Sequence, residues 1–360
     1  MLPSVVAAQF IPAQESGAIG FRWLSYQDWQ PGLDRINVSS PSFMLRVPVS
    51  ARWSVEGTLV ADSVSGASPR YHTAVSGASR MSDQRRAGDI RVTRYNDRNS
   101  WSVGAAASNE NDFRSRAISA QASWATDDNN RSWSFGVALI KDRIGSTDAP
   151  TLDEKRSTVD LAAGLTQALS RTDLVQLAVT YADGRGYYSD PYKSPDFRPA
   201  VRRQTSLNLR WNHHVEDWDT TLRTSYRRYR DSFGVRSHTL VFEPIIALGP
   251  SVQIAPSLRL YSQDAASFYY NPVYSYSGTP YPPGYFDAPP AYISADQRLA
   301  AFGAVTVGLR VEVALGAGWT TDFKIERYEQ NSAWHLIQPG SRGLAPLYAN
   351  IMQWGLMRQF

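Results

Sequence analysis

The 360-residue chain contains no cysteine, which excludes disulfide frameworks, thiol catalysis and cysteine-ligated zinc sites. It also lacks long apolar runs, and the longest candidate, residues 299–309, is shorter than the roughly 18 apolar residues that a membrane-spanning helix requires. This absence excludes helical membrane proteins. With 11 Trp, 19 Tyr and 13 Phe, the composition leaves two classes open, a soluble all-β protein and a transmembrane β-barrel.

Alternation of apolar and polar residues recurs along almost the whole chain. In residues 131–139, one face of a strand carries Trp133, Phe135, Val137 and Leu139, and the other face carries small or polar residues. We count about sixteen such segments, most of about 9 to 13 residues, which is the length that a tilted strand needs to cross a bilayer. The even number agrees with bacterial single-chain barrels.

The connections between these segments differ in length in a regular way. Short turns follow the even-numbered segments, for example 96–99, 170–172 and 249–251. Long connections follow odd-numbered segments, namely 63–86, 143–155, 184–202, 264–296 and 330–347. Long loops on one rim and short turns on the other are typical of outer-membrane barrels, with both termini on the periplasmic side. The sequence therefore predicts an all-β, transmembrane, antiparallel up-and-down barrel.

The two ends of the chain indicate processing and assembly. Residues 1–8 resemble the remnant of a signal peptide, since Val6 and Ala8 satisfy the small-x-small rule for cleavage, and residues 9–360 are expected to form a single barrel domain. The last strand ends in Phe360, which resembles the signal recognised by the barrel-assembly machinery, although Arg358 departs from the usual pattern. The expected partners are this machinery and outer-membrane lipid. Nucleic acid is not expected, because the charges alternate in sign.

The polar face of the strands should line the interior, because lipid cannot hydrogen-bond a strand edge and the sheet must close with its apolar face outward. Of the 37 basic residues, 33 are arginine and only Lys141, Lys155, Lys193 and Lys324 are lysine. The alternation gives a set of predicted lumen-lining and selectivity residues: Arg91, Arg210, Arg223, Arg227, Glu243, Arg259, Tyr261 and Gln263.

Two interpretations of these interior arginines stay open. In the first, carboxylates neutralise them in a network, and the candidate partners are Asp160, Asp219, Glu243, Asp322 and Glu326. In the second, the arginines line a path that attracts anions, as rings of basic residues do in anion-selective pores.

Aromatic residues and prolines are concentrated in residues 268–292. Proline stiffens such a loop, and tyrosine offers a stacking face with a hydroxyl group. The loop is either a platform for a sugar or heteroaromatic ligand or a constriction that caps the barrel. The predicted gate residues are Phe268, Tyr269, Tyr281 and Tyr285.

Several stretches together resemble a known family. They are the two Val-Ser-Gly-Ala-Ser copies at 64–68 and 75–79, Gly-Tyr-Tyr-Ser-Asp-Pro-Tyr at 186–192, Tyr-Arg-Arg-Tyr-Arg-Asp at 226–231, Leu-Arg-Leu-Tyr-Ser-Gln-Asp-Ala-Ala-Ser-Phe-Tyr at 258–269 and Ser-Ala-Asp-Gln-Arg-Leu at 294–299. They are similar to an uncharacterised family of proteobacterial outer-membrane β-barrels, a domain of unknown function. The resemblance implies location and architecture but no substrate.

Enzymatic activity is not expected. The histidines are His72, His213, His214, His238 and His335. Residues 213 and 214 are placed in a short turn, and no spacing supports a Ser-His arrangement. Residues 127–130 resemble a turn and not a calcium loop, so neither metal nor cofactor is expected.

Two functions remain for a protein of the Gram-negative outer membrane. The first is a porin-like channel or transporter for small solutes, among which the arginines favour anions. The alternative is a non-conducting structural barrel that holds or exports a partner protein or lipoprotein.

Overall fold

The computed structural model describes residues 16–69, 78–271, 282 and 284–360. Almost all regular structure is β, in eighteen described strands. They are β1 (Ala18–Gln30), β2 (Leu33–Ser50), β3 (Trp53–Pro69), β4 (Ala78–Tyr95), β5 (Asn99–Asn109), β6 (Phe113–Ala125), β7 (Arg131–Ile144), β8 (Glu154–Ala168), β9 (Asp173–Gly186), β10 (Asp196–Phe197), β11 (Val201–Val215), β12 (Thr220–Asp231), β13 (Arg236–Ala247), β14 (Val252–Gln263), β15 (Ile293–Ser294), β16 (Phe302–Gly316), β17 (Trp319–Asn331) and β18 (Leu347–Gln359).

Sixteen of these strands form one closed antiparallel barrel, and the two short strands β10 and β15 pair with each other outside the wall. Each wall strand pairs with the wall strands that precede and follow it in the chain. The barrel closes where β1 pairs with β18, with Trp23 opposite Trp354. Closure leaves no wall strand with an unpaired edge, as a wall in contact with lipid requires. The predicted fold class is confirmed.

The apolar face of the wall points outward. In β7, Phe135 is 52% exposed, whereas its neighbour Ser134 is 3% exposed. Leu207 and Leu209 on β11 are likewise exposed on the outer face. A soluble barrel would place these side chains in its interior. Here the period-two pattern sends them outward instead, which gives the outer surface of the barrel an extensive apolar band.

The connections divide between two rims. The rim that holds the N-terminal end of β1 has only short connections: 51–52, 96–98, 126–130, 169–172, 216–219, 248–251 and 317–318. We call it the turn rim. The opposite rim, which we call the mouth rim, carries long connections at 145–153, 187–200, 264–301 and 332–346. This is the division that the sequence predicts.

The bounds of several loops differ from the sequence prediction. Strand β3 continues into the predicted loop 63–86 as far as Pro69, and strand β4 begins within that loop at Ala78. The reason is that the two backbones continue to pair past the membrane-crossing length. Strands β1 and β2 are joined by a tight turn at 31–32, since Gly32 adopts a φ of 75° that other residues rarely tolerate. The long loop after β14 extends to residue 301 and not to 296.

Individual polar residues also differ from their predicted positions. His213 and His214 lie in β11 and not in a turn, because the pairing with β9 and β12 continues through them. Asp219 lies in the 216–219 turn with a φ of 42°, so it is not one of the inward carboxylates. Residues 297–299 form a 3-10 turn and not the start of a strand. None of the helices in the described residues is long and apolar enough to cross a membrane.

Tryptophan is concentrated on the outer surface near the turn rim, where Trp53, Trp101, Trp133 and Trp211 are all exposed. The Trp101 ring lies edge-on to Trp124 at 5.4 Å. Belts of this kind lie at the membrane–water interface, where an apolar ring with a polar N–H fits both phases. The position of the belt indicates where the apolar band ends.

Candidate functional site

Four connections of the mouth rim fold together across the end of the lumen. They are 187–200, 232–235, 264–301 and 332–346, and their described residues are called the cap. The cap has an apolar core, in which the fully buried Phe233 contacts the rings of Tyr188 and Phe268 at 5.6 and 5.1 Å. Burial of these rings stabilises the cap as a folded unit.

A second apolar cluster joins the cap to the wall. Ala300, Phe302 and Leu344 are buried in it, and Tyr261 packs against it from β14. The backbone of Ala301 both donates to the Ser341 hydroxyl at 2.9 Å and accepts from the Ser341 N–H at 2.8 Å. Loops 264–301 and 332–346 are therefore bound to each other and to the inner surface of the barrel.

A buried charged group, which we call the latch, links loop 187–200 to loop 264–301. The Arg198 guanidinium donates to both Asp196 oxygens at 2.7 Å and to Asp296 at 2.8 Å. Asp296 also accepts from Arg298 at 2.8 and 2.9 Å, and Arg298 forms a further ion pair with Asp190. The side chains of Asp196 and Asp296 are 0% and 1% exposed. Such fork-shaped arginine–carboxylate contacts are strong and directional.

The ionisation of the latch follows from burial and from its arginines. Burial by itself would raise the pKa of Asp296, but Arg298 and Arg198 outweigh burial and hold the pKa of that carboxyl well below its usual range. Burial also raises the pKa of Asp196, and there it outweighs the opposing effect of Arg198. Asp296 is therefore the carboxylate that keeps its charge when the pH falls.

The cap contacts several distant parts of the barrel. The Tyr192 hydroxyl donates to Asp112 in the connection between β5 and β6, and it accepts from the Thr147 backbone at 2.9 Å. On the other side of the mouth, the Gln297 amide is oriented with its oxygen toward the buried Arg35 of β2. In this orientation the Arg35 guanidinium donates to that oxygen at 2.9 and 3.0 Å. Because β2, β5 and β14 are well separated around the barrel, these contacts show that the cap lies across the mouth.

The inner wall meets the cap through β14. Gln263 is 6% exposed, and its amide donates to the carbonyls of Arg298 and Ala300 at 3.0 and 2.7 Å. The Tyr261 hydroxyl donates to Gln263 Oε1 at 2.6 Å. Gln263 thus holds the cap in place, whereas the sequence predicts for it a role in lining the lumen.

Directly below this contact, three inward arginines have only neutral partners. Arg210 and Arg259 lie in one transverse row of paired residues that crosses β11 to β14, and Arg227 lies one row closer to the cap. Arg227 donates to the Ser206 hydroxyl at 3.1 Å, Arg210 contacts Gln176 at 3.5 Å, and Arg259 lies over the Tyr261 ring at 5.7 Å. Within the described residues none of the three forms an ion pair with a carboxylate.

One row closer to the turn rim, the charges are neutralised. Arg223 donates to Glu243 at 3.0 Å, and Arg310 lies 3.9 Å from the same carboxylate and 2.8 Å from Glu312. Two further inward ion pairs are Lys324 with Glu326 at 2.8 Å and Arg22 with Asp322 at 3.4 Å. The two interpretations of the arginines therefore apply to different rows of one wall.

The remaining predicted residues lie in different places. Arg91 faces inward on β4 beside Glu56 of β3, far from the other predicted arginines. Phe268 and Tyr269 pack against the apolar core of the cap. Tyr285 contacts the exposed Phe286 at 5.3 Å, and Tyr281 lies outside the described residues.

Sequence reasoning missed the latch. Arg198 and Asp296 are 98 positions apart, and neither belongs to a strand of the wall, so no periodicity relates them. A signal was nevertheless present, because Asp190, Asp296 and Arg298 lie in the stretches 186–192 and 294–299 that carry the family resemblance. The charged residues within these stretches were the sequence signal for the ion pairs of the latch.

The comparisons with known proteins support the architecture. A family model described as "Protein of unknown function (DUF3570)" matches residues 73–152 and 145–353. No curated protein matches the chain.

Among solved structures, a bacterial polysaccharide outer membrane secretin is 9% identical with a TM-score of 0.52, and the match covers 95% of this chain and 98% of that one. The siderophore receptor PirA from Pseudomonas aeruginosa is 12% identical, with a TM-score of 0.50 and coverage of 96% and 62%. CdiB from Acinetobacter baumannii is 11% identical, with a TM-score of 0.50 and coverage of 94% and 60%. The chain thus spans less than two thirds of the length of PirA and CdiB. At these identities the likeness shows the fold alone.

Proposed function

The chain belongs to the DUF3570 family of proteins of unknown function, and from that premise we propose that it is a capped channel or transporter for small anionic solutes in the outer membrane of a Gram-negative bacterium. The mouth rim faces outside the cell and the turn rim faces the periplasm. Passage of a solute requires the cap to move. The protein acts by binding and conduction, without an enzymatic step.

The observation that carries the proposal is the group of arginines under the cap. Arg210, Arg227 and Arg259 face the lumen with neutral partners, although carboxylates neutralise other inward cations of the same wall. Guanidinium groups stay ionised and form two-point contacts with carboxylate and phosphate. Lumen arginines without a neutralising carboxylate favour the entry of anions and oppose that of cations.

The cap explains how such a barrel stays closed. Its apolar core and its latch occupy the mouth immediately above the arginines. A solute or partner opens the cap only if it binds the open state more tightly than the closed one. An anion that engages Arg198 or Arg298 in place of Asp296 satisfies that condition, because it replaces one of the contacts that hold the loops together.

Planar-bilayer recordings test the proposal. The wild-type barrel should show low conductance, and Arg198→Gln should raise it and give reversal potentials on the anion side. The matched control is Arg185→Gln, which removes an exposed ion pair with Asp183 on the outer face of the barrel. Equal currents from all three proteins, or cation preference in the open state, would contradict the proposal.

A second candidate function is a non-conducting barrel that holds or exports a partner protein or lipoprotein. It is supported by the asymmetry of the molecule, in which a folded cap lies across one end and only short turns surround the other. A partner would then enter from the periplasmic side. The same recordings discriminate, because this candidate requires absence of conductance even in Arg198→Gln, together with a protein that copurifies in stoichiometric amount.

A further inference from the structure

Basic side chains are clustered on the outer face of three neighbouring strands close to the mouth rim. The cluster, which we call the basic patch, consists of Arg114 and Arg116 on β6, Lys141 and Arg143 on β7, and Lys155 on β8. All five side chains are exposed. They have the same phase as the outward Ile118, Leu139 and Val159 of the same strands, so they face away from the lumen.

The cations of the basic patch lie directly opposite one another. Arg114 pairs with Arg143, and Arg143 pairs with Lys155 on the next strand. Arg116 pairs with Lys141 in the next outward row. Like charges in directly opposite positions of an antiparallel sheet repel each other and destabilise the pairing. Two such rows therefore concentrate positive charge on this part of the outer face.

Carboxylates in the described part of the chain neutralise only one of the five cations. Asp153 accepts from Arg143 at 2.5 and 2.8 Å. Among the described residues, the other four cations of the patch have no ion pair. The neighbouring Asp142 is turned inward and is bound to Arg156 at 2.7 Å. Within the part of the chain that the structure describes, these five cations therefore have one ion-paired carboxylate between them.

The basic patch borders the apolar band on its mouth-rim side. Ile118 and Leu139 follow Arg116 and Lys141 immediately on the outer face, and they are 61% and 47% exposed. The apolar band thus begins directly below the cations, without an intervening aromatic belt on these strands. At the turn rim, by contrast, outer arginines lie over tryptophan rings, as Arg131 does over Trp133 at 5.8 Å.

We propose that the basic patch binds the phosphate groups of an anionic glycolipid of the outer leaflet, of the chemical class of a diphosphorylated disaccharide that carries several acyl chains. The inference rests on the proposed outer-membrane location and orientation. The phosphates lie between the opposed cations and remove their repulsion, and guanidinium forks match phosphate oxygens. The acyl chains lie along the apolar band beside Ile118 and Leu139.

Binding to the detergent-purified full chain tests the proposal, with diphosphoryl lipid A, its dephosphorylated form and phosphatidylethanolamine as the probes. We expect diphosphoryl lipid A to bind at least about tenfold more tightly than the other two lipids. The variant Arg114→Gln/Lys141→Gln/Lys155→Gln should lose that preference. The control Arg52→Gln/Arg98→Gln/Arg171→Gln removes the same charge from the turn rim and should retain it.

Each of the following results would overturn the inference: equal affinity for the phosphorylated and dephosphorylated lipids, an unchanged preference in the patch variant, or an equal loss in the control. A further contrary result is complete displacement of the bound lipid by millimolar inorganic phosphate. That result would show a simple phosphate site to whose affinity the acyl chains contribute nothing, and it would overturn the inference as well. The bilayer recordings remain independent, because the patch variant leaves the lumen unchanged. A patch variant that loses its lipid preference but keeps the conductance of the wild type therefore tests this inference separately from the channel proposal.

Discussion

Arg198 and Asp296 meet at 2.8 Å across the mouth of the barrel, although the first belongs to the loop between β9 and β11 and the second to the loop between β14 and β16. Their side chains are 10% and 1% exposed. With the β10–β15 strand pair and the Arg298–Asp190 ion pair, this contact joins two loops that originate on different parts of the wall. It is a buried, charged part of the attachment of the cap over the arginines.

Arg198→Gln should weaken the attachment of loop 187–200 to loop 264–301, although the β10–β15 pair and the Arg298–Asp190 ion pair remain. Removing one partner of a buried ion pair costs about 3–5 kcal/mol, because the other charge is left without compensation. That cost falls on docking of the cap and not on the barrel wall, whose pairing does not involve Arg198. Protease accessibility of the loops on intact cells should rise, whereas the thermal stability of the barrel should change little. Protection equal to that of the wild type would show that the latch does not hold the cap.

Arg259→Gln should shift the reversal potential toward cations in an open barrel, measured in the Arg198→Gln background. A unit charge in a wet lumen contributes about 0.5–1 kcal/mol at contact distance, so the anion-to-cation permeability ratio should fall about two- to fivefold. Arg223→Gln is the matched comparison, since its charge is already paired with Glu243 at 3.0 Å. It leaves that carboxylate beside Arg310, so we expect a smaller shift. Identical shifts would mean that pairing does not decide selectivity.

The latch should resist mild acid. The pKa of Asp296 is lower in the docked cap than its ordinary value of 3.8. A carboxyl with a depressed pKa stabilises docking at every pH above its ordinary value, and it loses that contribution as the pH falls through the depressed one. Asp196 has a raised pKa, so it is protonated first, while Asp296 keeps both arginines. Conductance should therefore stay low from neutral pH down to about pH 4, and an opening near pH 6 would contradict this assignment.

Phe233→Ala should loosen the cap without breaking an ion pair. Phe233 is fully buried between Tyr188 and Phe268, and removing a buried phenylalanine side chain costs about 3–5 kcal/mol. Phe286→Ala is the matched control, because Phe286 is 78% exposed and its removal should cost less than about 0.5 kcal/mol. Hydrogen exchange of the loop amides measures the difference. Equal exchange in both variants would show that the apolar core does not order the cap.

The wall of this protein could be predicted from local patterns. Trp133, Phe135, Leu207 and Leu209 point to lipid because each strand alternates strictly, and a period of two assigns every side chain to one of two faces. The inward direction of Arg210, Arg227 and Arg259 follows from the same rule. These features need only the residues within one strand.

The neighbours of those inward residues could not be predicted in the same way. Arg223 and Arg259 look equivalent in the sequence, yet one faces Glu243 across a strand pair and the other lies over a tyrosine ring. Which of them is neutralised depends on the register between strands. A shift by two residues would keep every side chain on its face and would still exchange its partners.

The amino-acid sequence by itself determined the closed barrel, the outward direction of its apolar face and the rim that carries the long loops, because alternation and connection length are local properties of the chain. Only the tertiary structure decided that the loops fold into a cap, that Arg198 meets Asp296, and that three arginines below the cap have no carboxylate partner among the described residues. These contacts join residues far apart in the chain, and they form only after the wall has closed and has brought the loop ends together.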